Sequence, residues 1–449
     1  MVLGAMLNPI NSSMIAVALI PIGLALHEPP SRTAWLVSSL YLATAVGQPV
    51  AGRLVDLLGP RPVFLVGTTL VGIGGALGML AQSLDVLVLA RVLIGLGTCA
   101  GYPAAMFLLR SESRRTGVDN PTVILTLLTF SAQTISVIGP TLGGLLIDFG
   151  GWRSVLSVNL PLSAAAFLLG ARRFPKQVEL PPRAGGARLD VPGVALFTAA
   201  LLTLMVLLMN PDRGRLWLLP VGVIAWLLLA GRELRSSDPF IDLRVLAGNG
   251  PLVATYIRQL LASTVSYAFL YGYTQWLEAG RGLNASQTGA LMVPMFLTSM
   301  LVTAVTGRSK AVRLKLLGGG AMQFVAAAVL SRLSPSSPFT LLVPLGLIVG
   351  VPQGVLGLAN QTALYYQADP ARVGASSGLL RTFMYLGAIV AAAANAAAFA
   401  HGVSSAGLHD LAYFLMLVAV VFIALSASDH SLRAIIDGRH AGPGQVREV

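Results

Sequence analysis

The chain has 449 residues, 55% apolar and only 11% charged, with a formal net charge of +12 and a mean hydropathy of +0.77. Soluble domains carry about a quarter charged residues, so the composition excludes an ordinary soluble protein and predicts an all-α integral membrane fold. The positive charge does not point to nucleic acid, because the basic residues lie in short gaps between apolar runs, as membrane topology demands. The single cysteine, Cys99, leaves no intramolecular disulfide and no cysteine metal cluster.

In chain order, apolar runs bounded by charges, Pro or Gly predict fourteen spans: 4–26, 32–56, 62–81, 85–109, 121–147, 153–171, 191–209, 215–231, 251–277, 284–306, 314–331, 338–363, 374–400 and 408–427. The first span starts almost at Met1 without a basic leader, so it reads as a retained helix rather than a cleaved signal. With the N-terminus cytoplasmic, twenty-one of the 30 Lys and Arg fall in cytoplasmic segments, six fall opposite, and Arg91, Arg258 and Arg381 lie within spans. That asymmetry supports the count and puts both termini in the cytoplasm. The gaps 172–190 and 232–250 are long and polar, with Pro181, Pro182, Gly185 and Gly186 marking the first as irregular linker. The expected organisation is a six-helix bundle over 1–172, two extra helices with their linkers over 173–250, and a second six-helix bundle over 251–427. A polar, frayed tail follows over 428–449.

Between the second and third spans stand Gly52, Asp56, Gly59 and Arg61. Gly52 and Asp56 share one helical face. A glycine there lets a neighbouring helix approach, and a carboxylate at a helix C-terminus opposes the macrodipole and wants a partner. The fourth span carries Arg91 and Gly95. An arginine inside an apolar span is costly and functional or paired, with snorkelling to the interface as the competing reading. The fifth span carries Gly139, Pro140, Gly143 and Gly144, in which proline bends the helix and glycines permit close packing. Trp152, Arg153, Asn159 and Pro161 follow, and Asp238–Leu246 reads Asp-Pro-Phe-Ile-Asp-Leu-Arg-Val-Leu.

Together these residues resemble the major facilitator superfamily, in its fourteen-helix drug:proton antiporter branch, from about residue 10 to 427. The resemblance implies two six-helix bundles around a central cavity, related by pseudo-symmetry and rocking to give alternating access. It also implies that Asp56 latches the N-terminal bundle to the start of the thirteenth span near Ser376 and Ser377, and that the two extra helices pack outside the bundles.

The chain departs from the pattern in places. Leu57 and Pro60 stand where the branch tends to place basic residues, and Asn11 stands where its first helix carries an aspartate. None of the eighteen carboxylates falls near a predicted midplane, and none of the five histidines is central. Proton-coupled carriers relay protons through buried carboxylates or histidines, so weak or absent proton coupling is expected, with Asp148 and Glu278 as the fallback titrating groups. Arg381 shares a face with Tyr385 and Asn395 and is expected to face Asn11. Arg258, near the start of the ninth span, is read as paired or snorkelling.

Polar residues at helical spacing mark the expected cavity: Asn11, Tyr102, Gln133, Tyr267, Tyr271, Gln275, Gln353, Asn360, Arg381 and Tyr385, with Met292 and Met295 as adaptable lining. The alternative for each is hydrogen bonding between helices away from any cavity. No nucleophile, metal cluster or close acidic pair within a span is visible, so no enzyme and no cofactor is expected. The expected function is export of a small amphiphilic organic molecule across the plasma membrane by a monomer, with protons as a further partner if coupling exists. A membrane sensor or scaffold, or an uncoupled facilitator or importer, are the alternatives.

Overall fold

The computed structural model describes residues 2–105, 107–108, 138–175, 190–209, 213–215, 217–236, 248–307, 309, 311–368 and 373–434. Among the described residues the regular structure is all helical. The N-terminal half holds α1 Val2–Met14, a 3-10 turn Ile15–Val17, α2 Leu19–Leu26, α3 Pro30–Leu58, α4 Pro60–Met79, α5 Leu84–Thr98, α6 Ile138–Gly150, α7 Arg153–Ser157 and α8 Asn159–Arg173. Two further helices, α9 Val191–Met209 and α10 Leu218–Arg235, precede α11 Gly250–Gln275, a π turn Trp276–Gly280, α12 Ala285–Thr306 and α13 Val312–Leu330. The chain continues through α14 Phe339–Gln367, α15 Val373–Ala398, α16 Ser405–Ser428 and a short α17 Ser431–Ala434.

Among the described residues nine helices are long and apolar enough to cross a membrane, or ten if the pair around Ala18 is one bent span. Helices α3, α10 and α11 stand where spans 32–56, 215–231 and 251–277 are expected, yet they fall below that apolar criterion. The reason differs. In α10 the last turn carries Arg232, Glu233 and Arg235. In α3 and α11 the polar residues are buried inside the protein: Ser38, Thr44 and Gln48 on the first, Gln259, Ser263, Thr274 and Gln275 on the second. Part of the fifth expected span, the Asp238–Leu246 linker and most of the tail lie outside the described residues.

Local chemistry sets the helix boundaries. Gly59 ends α3 with φ +87, a backbone region that L side chains avoid, and Pro60 opens α4 where its missing N–H costs nothing. Asn284 and Gln287 form a reciprocal capping box on α12. Asp190 caps α9 by accepting from Gly193 N at 3.0 Å and also takes Arg232 of α10 at 2.6 Å, which ties the two extra helices together. The resulting hairpin lies against α3 and α15.

The first span is bent: it breaks at Ala18, and its two parts diverge by 60°. Pro21 has no N–H to offer Val17, and the chain tightens into a 3-10 turn at the break. The chain after Ser428 is not frayed at once: Asp429 and Ser431 join a buried network and Leu432 is fully buried.

The N-terminal helices pack with α3 on α5, α4 on α5 and α8, and α1 beside α5 and α8; the C-terminal ones with α11 on α15, α14 and α16, and α14 on α12 and α13. The halves meet along one seam, where α3 lies on α15, the 3-10 turn on α11, and α6 on α12. The ends of α3, α8 and α10 carry Arg53, Arg172, Arg173, Arg232 and Arg235 and define a basic face; the other end of the molecule is the opposite face.

Candidate functional site

The seam is built from hydroxyls, carbonyls and aromatic rings. Tyr41 of α3 and Tyr271 of α11 place their hydroxyls 2.9 Å apart, and Tyr271 also donates to the Ser12 carbonyl at 3.2 Å. Thr274, one turn on, donates to the Ala16 carbonyl at 3.1 Å. Tyr41 packs against Tyr267 at 5.1 Å and stacks on Tyr385 at 5.8 Å between ring centroids. Four tyrosines from α3, α11 and α15 thus form one aromatic cluster midway along the seam.

Towards the basic face from this cluster, the Arg381 guanidinium sits over the Tyr102 ring, 3.8 Å from its centroid. The cation of the C-terminal half is held by an aromatic face of the N-terminal half. Among the described residues no carboxylate lies within ion-pair distance of Arg381. The expected approach to Asn11 is corrected: that side chain is occupied elsewhere. Asn11 Nδ2 donates to Asn159 Oδ1 at 2.7 Å and Asn159 Nδ2 returns a bond to Asn11 Oδ1 at 2.9 Å, joining α1 to α8.

Arg91 does not snorkel. It is fully buried and donates to the carbonyls of Leu36 at 2.9 Å and Asn11 at 3.1 Å, pinning α5 to α3 and α1. Gly95 permits this packing, since a Cβ there would stand 2.7 Å from the Leu40 carbonyl oxygen. Arg258 is also fully buried and reaches Asp429 at 2.7 Å and Thr255 at 2.5 Å. The ring closes through Thr255 to Gln367, Gln367 to Ser431 and Ser431 to Asp429. It ties the basic-face ends of α11, α14 and α16.

The fifth-span residues divide between two tasks. Gly139 meets Ser13, and Gly143 meets Met14, so α6 lies directly on α1. Gly144 instead faces Ala285 and Ser286 of α12, and the Pro140 carbonyl faces Gly289, with Thr141 donating to the Gly289 carbonyl at 3.2 Å. These contacts close the seam at the opposite face. Gly52, by contrast, has nothing within 4 Å of where a Cβ would stand, and neither has Gly378 on α15. The close approach expected at Gly52 is therefore absent among the described residues. The Asp56 side chain and Gln133 lie outside the described residues. Arg61 donates to the Ala171 carbonyl at 3.0 Å, fixing α4 to α8.

Tyr102, Tyr267, Tyr271, Tyr385 and Arg381 are thus brought together, with Gln275 buried one turn beyond Tyr271. Gln353 contacts Met295 at 3.7 Å and Asn360 bonds Gln259 at 3.1 Å, both within the C-terminal half, so neither joins the cluster. Sequence reasoning missed Tyr41, Asn159 as the Asn11 partner, and Asp429. The Tyr41 signal was present as a polar stripe, Ser38, Tyr41, Thr44 and Gln48, at helical spacing. The Asp429 signal was not, since its partner lies 171 residues away.

Two packed halves of membrane-length helices meeting on a polar seam define a multi-pass membrane transporter. The Major Facilitator Superfamily profile matches residues 1–392, and the chain belongs to that family. It is 31% identical over 441 residues to the uncharacterized MFS-type transporter YwoD of Bacillus subtilis, covering 95% of this chain and 93% of that protein. It is 29% identical over 393 residues to the cephamycin export protein CmcT of Amycolatopsis lactamdurans, covering 84% and 79%. Among solved structures it resembles the nucleoside transporter NupG, with TM-score 0.67 at 12% identity, covering 94% of this chain and 98% of that one. That likeness concerns the fold, which is all-α and of the major facilitator type. The chain is a transporter rather than an enzyme.

Proposed function

We propose that this protein exports a small amphiphilic organic molecule, anionic or zwitterionic, across the plasma membrane by alternating access. The basic face is cytoplasmic in this reading, with both termini on it. The fourteen helical segments act as two bundles of six plus a peripheral pair.

The observation that carries the substrate class is Arg381. Its cation stands on the seam, over Tyr102 and below the tyrosine cluster, with no carboxylate partner among the described residues. An unneutralised cation beside stacked aromatic faces favours a ligand with an anionic group and an apolar or aromatic body. A lipophilic monocation would meet repulsion there without a compensating acid. The direction is supported by the export protein among the relatives and by the Gly139–Gly144 motif.

The test is substrate-dependent flux in proteoliposomes, paired with thermal shifts of the purified protein. Anionic amphiphiles should be moved and should raise the melting temperature. Strong export of lipophilic monocations with anionic amphiphiles ignored would sink the reading.

A further inference from the structure

Glu278 is a buried acid that the tyrosine–arginine site does not use. It lies one residue beyond the ninth expected span, in the π turn that follows α11. π turns interrupt regular helices and recur at functional positions. Its side chain is only 8% exposed, and its Oε1 has no hydrogen-bond partner. Desolvation without a partner disfavours a carboxylate.

The second carboxylate nearby belongs to the other half of the molecule. Asp148, exposed near the end of α6, acts on Glu278 as a like charge. Burial first and Asp148 second push the Glu278 carboxyl well above its usual range. Other charged groups packed around the π turn do not neutralise it. Arg281 is turned to the Ser337 carbonyl and stacks on Phe339. From α16, His409 bonds the Leu333 carbonyl at 2.7 Å, and Asp410 is exposed. Helix α12 carries no charged residue, and α11 carries none near this end.

The two acids thus flank the part of the seam where Gly144 of α6 meets Ala285 and Ser286 of α12, one from each half. We propose that Glu278 is a proton-binding site whose occupancy is tied to closure of the opposite face, with Asp148 as the opposing charge. When the seam is closed, Glu278 takes a proton from water on that face and is neutral beside Asp148. When α6 draws away, Glu278 gains water, loses the like charge and releases the proton to the same side.

The direction follows from linkage. Below the pKa of the solvated acid, about 4.3, the proton is bound in both states and closure is unopposed. As pH rises from there to the raised closed-state value, the open state gains the advantage, because only it ionises freely. Closure is thus favoured by acid and weakened by alkali.

This inference rests on alternating access and can fail independently of it. The experiment places spin labels at Phe149→Cys on α6 and Ser336→Cys in the loop before α14, both exposed on the opposite face. Distances are measured in nanodiscs without substrate from about pH 5 to pH 9, above the ordinary carboxyl range. The labelled protein should move from short to long distances as pH rises. Glu278→Gln should hold the short distance at every pH. Asp148→Asn should lower the midpoint, as loss of a neighbouring like charge does. Two populations that ignore pH, a Glu278→Gln protein that titrates like the parent, or an unmoved Asp148→Asn midpoint each overturn the proton site while alternating access stands. One invariant distance overturns both.

Discussion

Tyr41 and Tyr271 stand in opposite halves of the protein with their hydroxyls 2.9 Å apart, and the same Tyr271 hydroxyl reaches the Ser12 carbonyl. One side chain therefore holds the N-terminal half at two points. Side-chain hydrogen bonds between membrane helices average about 0.6 kcal/mol, so Tyr271→Phe should weaken closure by about 1 kcal/mol. The open population should rise about fivefold at constant pH. Spin-label distances across the opposite face measure it; unchanged populations would remove the tyrosine pair from the gate.

Arg381 gives the prediction closest to substrate. Arg381→Ala should abolish ligand-induced thermal stabilisation by anionic amphiphiles while changing the ligand-free melting temperature little, since the lost cation–π contact is worth about 0.5–2 kcal/mol. Arg381→Lys should recover part of the ligand shift, because it keeps the charge and loses the planar stacking. A full ligand shift in the alanine variant would place the anion elsewhere.

Asn11 and Asn159 exchange two bonds in a buried setting. Replacing either with Ala leaves the buried Oδ1 of the other unpaired, while its Nδ2 keeps a nearby main-chain carbonyl, at a cost of about 1–3 kcal/mol each. The double replacement should cost less than the two singles together, because nothing is then left stranded. Thermal or denaturant stability in detergent reports this, and strict additivity would mean that the pair does not interact.

Arg258 and Asp429 make a buried ion pair at the basic face. Asp429→Asn should destabilise by about 3–5 kcal/mol by leaving the cation uncompensated, whereas Arg258→Met combined with Asp429→Leu should recover most of the loss. Truncation before Asp429 should resemble Asp429→Asn. A truncated protein as stable as the parent would show that the network is dispensable.

Much of this architecture was legible in the sequence because bilayer-length apolar runs and their basic gaps are local features. Helices at Phe339–Gln367 and Ser405–Ser428 follow from composition alone. The resemblance read on Gly52–Arg61, Arg91 and Gly139–Gly144 led to the family to which the chain belongs. The site was legible only in part. Tyr267, Tyr271, Tyr385 and Arg381 stood out as polar or aromatic residues in apolar helices, and they do converge. What they touch depends on distant helices: Tyr102 lies 279 positions before Arg381, and Asn159 lies 148 after Asn11. Asp429 looked like surface because its neighbours in sequence are polar, whereas its neighbours in space are Arg258 and Ser431.

The break at Ala18 also bears on how the seam parts. Beyond Asn11, the first span offers main-chain oxygens at Ser12 and, in the 3-10 turn, at Ala16, and α11 brings the hydroxyls of Tyr271 and Thr274 to them. Every donor in this part of the contact is on one partner and every acceptor on the other. Water can replace either group alone, so the contact can open like a zip, one tooth at a time, with no step in which several bonds must break together.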